Sequence, residues 1–295
     1  MAKSSRALRG RMRSVQNTRK ITRTMELVST SKLKRAQDRV VSARPYAQAL
    51  AEVIGDLVTP ELQARFPLLR KPAALAAGGP KRAAILLITS NRGLAGGFNS
   101  NLIKEARHRM EALEGAGYQV DLHGVGRKGI GYFRYIGRAL ASQRIDIGDK
   151  PTADHASELV TPLIEEFAAG RLASLDIVYA KFNSPLSTPP TLLTVLPVQT
   201  PERPKGGVQP DYILKPGAEE ILEQLLPLYV RNLVYRGLVE TAASEHGARR
   251  TAMKSATDNA GEIYDLLKRT YNRQRQAAIT QEIAEIVGGA AALEG

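Results

Sequence analysis

The chain has 295 residues and no cysteine, which excludes disulfides, thiolate metal sites and thiol nucleophiles and leaves room for two domains or one with a long extension. Hydrophobic residues reach 43% while aromatics reach only 5%, with no Trp, a balance better suited to small-residue helix packing than to a large enzyme core. The net charge of +13 is concentrated at the start, where residues 1–45 set thirteen Lys and Arg against Glu26 and Asp38. Such a surplus fits nucleic acid, an anionic membrane surface or an acidic protein. No apolar run is long enough to span a bilayer, so the sequence predicts a soluble or peripheral chain.

Residues 1–57 read as one long helix. Leu8, Met12, Val15, Thr22, Met25, Ser29, Leu33, Ala36, Val40, Ala43, Ala47, Leu50, Ile54 and Leu57 keep a spacing near 3.5, the repeat of a left-handed coiled coil. Pro45 predicts a bend or break within it. Between Thr18 and Ser31 the large apolar residues give way to Thr and Ser, either because the coiled coil is locally loose or because this face must slide on a partner. The Arg-rich, acid-poor start also imitates a mitochondrial transit peptide, but the helical pattern runs on unbroken to Leu57.

Residues 58–81, with Pro60, Pro67, Pro72 and Pro80, form a connector. Residues 82–198 then alternate strands and helices. Ala83–Ser90, Tyr118–Val125, Asp176–Phe182 and Leu192–Pro197 read as strands; Ser100–Gly115, Gly126–Tyr135 and Asp154–Ala169 read as helices. That alternation predicts an α/β layer on a mainly parallel sheet. Residues 199–216 carry four prolines and form a second connector. Residues 217–295 form the last helix, with Pro227 tolerable only near its first turns and no proline beyond it. Ala260, Ile263, Leu267, Tyr271, Gln274 and Ala278 mark its seam. At about 1.5 Å per residue its proline-free stretch from Leu228 to Gly295, roughly 65 residues, approaches about 100 Å and needs a partner along its length. The predicted fold is therefore α/β: a long antiparallel coiled coil of N- and C-terminal helices plus a central Rossmann-like α/β domain.

The chemistry-bearing residues do not compose an active site. Gly93-Leu94-Ala95-Gly96-Gly97 follows a strand, yet it matches neither the dinucleotide nor the P-loop spacing, and it reads as a tight turn. His108, His123, His155 and His246 lie in separate elements without ligand spacing, and no Gly-x-Ser-x-Gly elbow occurs. Glu165-Glu166 and Glu219-Glu220 read as solvated helix faces. No cofactor and no metal is expected. The basic arm has no aromatic residue before Tyr46, which disfavours single-strand stacking but leaves duplex-backbone binding open. The small-residue end Gly288–Ala292 is either a frayed tail or a tip turning in an apolar collar.

Four ordered blocks carry a resemblance over nearly the whole chain: Arg13–Val28, Ile88–Asn101, Ala252–Ala260 and Ile279–Ala292. Together they resemble the gamma subunit of F-type ATP synthases, of the bacterial type. Asn91 stands where that family usually has Asp, and Ala95 where Cys is common; the cysteine-bearing insertion of the chloroplast branch is missing, and no presequence is evident.

The resemblance implies a non-catalytic rotor in the central stalk. It would turn inside an alpha3-beta3 ring, coupling proton flow to ATP synthesis or hydrolysis on the beta subunits. It implies that Met25, with Arg19, Lys20 and Arg23, faces acidic loops of beta, and that Arg275 and Gln276 form a polar catch on the same subunit. It places Ile286, Val287, Gly288, Gly289, Ala290 and Ala291 in the apolar collar. Loops near Asp211–Pro216 would meet epsilon and the c-ring of Fo, giving a peripheral protein on the cytoplasmic face of the bacterial cell membrane. Membrane contact would run only through the complex, and no nucleic acid is implied. The residues themselves keep two alternatives, a basic coiled-coil nucleic-acid-binding protein from the charged arm and a dinucleotide-dependent enzyme from the central α/β layer.

Overall fold

The computed structural model describes residues 2–70, 78–199 and 217–294, with the side chains of 6–70, 78–199 and 217–290. Most of the predicted connector 199–216, part of 58–81, and the side chain of Ala291 lie outside the described residues. Eleven elements follow in chain order: α1 (Ala2–Leu57), α2 (Pro60–Arg65), β1 (Arg82–Ile88), α3 (Phe98–Gly115), β2 (Gln119–Val125), α4 (Arg127–Tyr135), β3 (Ser142–Arg144), α5 (Ala153–Ala168), β4 (Leu175–Ala180), β5 (Pro190–Leu196) and α6 (Ala218–Glu294). Two compact units result, residues 1–29 with 250–295, and Thr30–Arg249.

Both long helices run through their prolines, so of the bend or break expected at Pro45 the break does not occur. Proline removes the bond to the carbonyl four residues back. At Pro45, Pro162 and Pro227 that carbonyl belongs to Val41, Glu158 or Glu223, each an exposed residue, so water can satisfy it. Two short elements carry no strong pattern and were not expected: α2, started by Thr59 and Pro60, and the three-residue edge strand β3.

In the unit Thr30–Arg249 the five strands lie in the order β3-β2-β1-β4-β5. The first four pair in parallel, and β5 returns antiparallel to β4 as an edge strand that Pro190 can open. Period-two alternation sends Ala83, Ile85 and Leu87 of β1 to one face and Ala84, Leu86 and Ile88 to the other. On the first face α3 places Phe98, Leu102, Ala106, Met110 and Leu113 at helical spacing. On the second, Val160 and Ile164 of α5 meet Leu222, Val230 and Val234 of α6 and Ile54 of α1. Covering both faces is what a central parallel strand requires, and β1 is apolar throughout after Arg82 for that reason. Asp176, fully buried on β4, is held by Arg109 at 2.7 Å and by the Thr194 hydroxyl at 2.6 Å. Leu33, Ala36 and Val40 pack with Phe182, Val239 and Ala243.

In the unit of residues 1–29 and 250–295 the two helices run antiparallel. Arg9 donates to the Tyr271 hydroxyl at 2.5 Å, and the Thr257 hydroxyl donates to that of Thr22 at 2.8 Å. Thr22, Glu26 and Ser29 of α1 and Met253, Thr257 and Ala260 of α6 are the buried positions. Two seam expectations are corrected. Ile263 is 49% exposed while its neighbour Tyr264 turns inward, and Gln274 is exposed. A straight helix drifts about 20° per heptad, so a seam projected from Ala260 strays from the contact face.

Candidate functional site

The polar seam is built from its own hydrogen bonds. Thr22 donates to the Arg19 carbonyl at 3.1 Å, and Ser29 to that of Met25 at 2.7 Å. Thr257 lies 2.8 Å from the Met253 carbonyl. Each hydroxyl meets a backbone carbonyl, so the seam carries polar groups without stranding them, at the cost of apolar contact area. Glu26, at 9% exposure, takes an ion pair from Arg23 at 2.8 Å.

The structure sorts the expected contact residues into three sets. Arg19, Lys20 and Arg23 are exposed, with the Arg19 guanidinium lying over Gly261. Met25 does not share their outward face. It is half-buried in line with Thr22 and Ser29, on the seam side of α1. Arg275 and Gln276 are exposed but lie about 27 Å further along α6 than the level of Thr257, so they form a separate station. Ile286, Val287, Gly288, Gly289 and Ala290 are all exposed.

Sequence reasoning missed the apolar members of the outer face. Ile21, Leu27 and Val28 of α1 are 61%, 57% and 51% exposed, and Leu266 of α6 is 57% exposed. Their signal was present as large residues off the heptad seam, in a stretch whose seam itself is polar. The pairing of residue 22 with 257 and 9 with 271 exhausts α1 near residue 278 of α6. Past that level Ile279, Ile283, Ile286 and Val287 form one uncovered apolar stripe at helical spacing.

In the unit Thr30–Arg249 the glycine loop serves the fold. Leu94 and Gly96 take left-handed backbone angles, φ 62 and 58. The loop turns its carbonyls toward buried Arg249, which donates to Gly93 O at 3.2 Å and binds Glu245 at 2.6 Å. Burial raises the Glu245 carboxyl despite that partner. Burial also holds His246 down to about 4, so it is neutral near pH 7, its Nε2 3.5 Å from Asp149. Lys32 of α1 donates to Asp149, and Arg39 to its carbonyl at 2.9 Å.

The first amides of α4, beside the carboxyl ends of β1 and β2, are already taken. Arg127 N donates to the Asn91 side chain, Lys128 N to the Ser90 carbonyl and Gly129 N to the Thr89 hydroxyl, at 3.0, 3.1 and 2.9 Å. Gly126 (φ 92) permits that approach, since a Cβ there would stand 2.1 Å from the Thr89 carbonyl oxygen. Among the described residues no group of three or more His, Asp or Glu is placed to hold a metal.

A family model described as ATP synthase matches residues 4–293. The chain is 61% identical to the ATP synthase gamma chain of Gemmatimonas aurantiaca over the full length of both. The chain belongs to the ATP synthase gamma chain family. It is 43% identical to the gamma chain of Leptospira biflexa, covering 98% of each. Two solved structures share the fold at 17% identity, both from the Euglena gracilis mitochondrial ATP synthase. One, from the rotor, has a TM-score of 0.66 and is matched over 95% of this chain and 100% of its own. The other, from an OSCP/F1/c-ring assembly, has a TM-score of 0.68 over 99% and 95%. Nothing in these matches supports the nucleic-acid-binding alternative. Among the described residues no helix is long and apolar enough to cross a membrane.

Proposed function

We propose that this gamma-chain family member is the central-stalk rotor of an F-type ATP synthase, non-catalytic itself and coupled to ATP synthesis or hydrolysis on beta subunits. The full-length 61% identity to a gamma chain is the observation that carries this reading. The geometry fits it. An antiparallel helix pair presents unlike faces around its circumference: Lys20 with Ile21, Leu27 and Val28 on one side, a polar seam on another. A ring of identical subunits around such a pair meets a different surface at each position. Differential contacts alone can then hold identical nucleotide sites in different states.

Arg19, Lys20 and Arg23 are the groups we assign to acidic loops of beta, with Met25 acting from within the seam. Arg275 and Gln276 form the second station, where a guanidinium can grip a carboxylate bidentately. The exposed stripe through Ile286 and Val287, with Gly288, Gly289, Ala290 and Ala291 beyond it, is the part for the apolar collar. The loops near Asp211–Pro216, assigned to epsilon and the c-ring, lie outside the described residues. Membrane attachment then comes through the complex, on the cytoplasmic face of the cell membrane.

The test is co-purification from gently solubilised membranes with a tag on this chain. Recovery of alpha and beta in threefold excess, with epsilon, is the expected outcome; recovery of nucleic acid alone sinks the reading. Within that complex, Arg275→Glu should lower ATP turnover several-fold while the thermal unfolding of this chain stays in place. Unchanged turnover would remove Arg275 from the contact set.

A further inference from the structure

We propose that the crevice beyond the carboxyl ends of β1, β2 and β3 binds a small polyphosphate, held by side-chain cations. A cavity of about 580 Å³ opens there, lined by Arg92 and Arg127 at the strand ends, by Lys150 after β3, and by α6 from Leu238 to Glu245. A smaller recess of about 190 Å³ adjoins it, lined by Lys32, Arg35 and Arg39 of α1 and by His246, and shares Asp149 and Lys150 with the first. Small-molecule sites occupy about 300–1,000 Å³, and α/β sheets place them outside the carboxyl ends of the strands, near where the strand order reverses. Here β1 is that reversal point, with β2 on one side and β4 on the other.

Charge pairing decides the ligand class. Every carboxylate that lines the two cavities already has a cation: Asp146 has Arg144, Asp149 has Lys32 and Glu245 has Arg249. Arg35, Arg92, Arg127 and Lys150 have no ion-pair partner among the described residues, although all four line the cavities. Those four come from α1, the β1–α3 loop, the start of α4 and the β3–α5 loop. Four positive charges exceed the roughly two negative charges that one orthophosphate carries near pH 7, whereas a chain of phosphates carries enough to meet all of them. The α4 amides are taken by Asn91, Ser90 and Thr89, so recognition falls to guanidinium and ammonium groups, which suit phosphate oxygens. The site is independent of the rotary reading, because none of these residues is in the proposed beta-contact set.

Titration calorimetry of the purified full chain with inorganic tripolyphosphate tests the proposal, with ATP and orthophosphate as parallel arms. Tripolyphosphate should bind saturably, one per chain, and orthophosphate far more weakly. Lys150→Gln and Arg92→Gln should each weaken binding about tenfold, the worth of a charged hydrogen bond, while Arg13→Gln in the basic arm leaves it unchanged. ATP binding as tightly as tripolyphosphate assigns recognition to the phosphates alone; tighter ATP binding adds contacts to the base; both support the site. Hydrogen exchange on the unmodified chain should show ligand protection at residues 89–92, 126–128 and 146–155, a readout that needs no variant to fold. Absence of saturable binding at low salt, or equal weakening by Arg13→Gln, overturns the proposal.

Discussion

At the residue scale, polar side chains that resemble candidate ligands turn out to be structural partners. His155 accepts from the Thr152 amide at 3.2 Å while the Thr152 hydroxyl accepts from the His155 amide at 3.3 Å, a reciprocal cap that starts α5. Asn91 uses both ends of its amide, donating to the Ile145 and Ile147 carbonyls, both at 3.0 Å, and accepting from Arg127 N. A carboxylate could not donate to those carbonyls, which gives the Asn at this position a physical reason. His246 supplies a pH test. Its folded-state value near 4 lies below the ordinary 6.5 because burial disfavours the imidazolium. The unfolded chain therefore binds the proton first, and stability falls as pH drops from about 6.5 toward 4. Glu245, raised by burial, tilts the opposite way in the acid range, and Asp149, lowered by Lys32, acts below that window. His246→Asn should remove a few kcal/mol of the loss between pH 7 and pH 4. Denaturant unfolding against pH in both chains measures it, and parallel pH profiles would show that His246 is not the group responsible.

At the element scale, the stripe Ile279, Ile283, Ile286 and Val287 separates function from folding. These side chains lie past the level where α1 ends against α6, and all four are substantially exposed. Replacing one of them removes no internal packing. Ile283→Asp should therefore change the unfolding free energy of the chain by no more than about 1 kcal/mol, mostly helix propensity. In the assembled complex the same change should reduce turnover or assembly, because a carboxylate would enter an apolar contact. Loss of the isolated chain's stability by several kcal/mol would show instead that the stripe packs against this chain. The α1 seam gives the contrasting case. Thr22, Glu26 and Ser29 are buried where heptad logic asks for Leu or Ile, and each is satisfied by a hydrogen bond or ion pair. Hydrogen-bonded seams gain less per contact than apolar ones. That stretch of the pair is held more weakly than Leu33, Ala36 and Val40, which pack against Phe182, Val239 and Ala243.

At the scale of the whole molecule, the division into residues 1–29 with 250–295 and Thr30–Arg249 crosses both long helices. The α/β unit thereby includes Thr30–Leu57 and Ala218–Arg249, whose apolar faces complete its second core. The two helices, the parallel sheet and the order of elements were legible in the sequence. Local rules govern them: helix formers without proline after Pro227, a continuous apolar run in β1, and glycines at the strand ends. The brief elements α2 and β3 were not, because a three-residue edge strand buries too little to leave a pattern. The four family-like blocks also fixed what the chain belongs to, since ordered motifs are properties of sequence. Only the tertiary structure decided that Met25 turns into the seam and that Tyr264 replaces Ile263. It also decided that Arg249 reads the glycine loop and that Arg35, Arg92, Arg127 and Lys150 line the two cavities without an ion-pair partner among the described residues. Each of those depends on the rotation of one helix against another element, or on partners more than a hundred residues apart. A periodicity read along one helix carries no information about what stands opposite it.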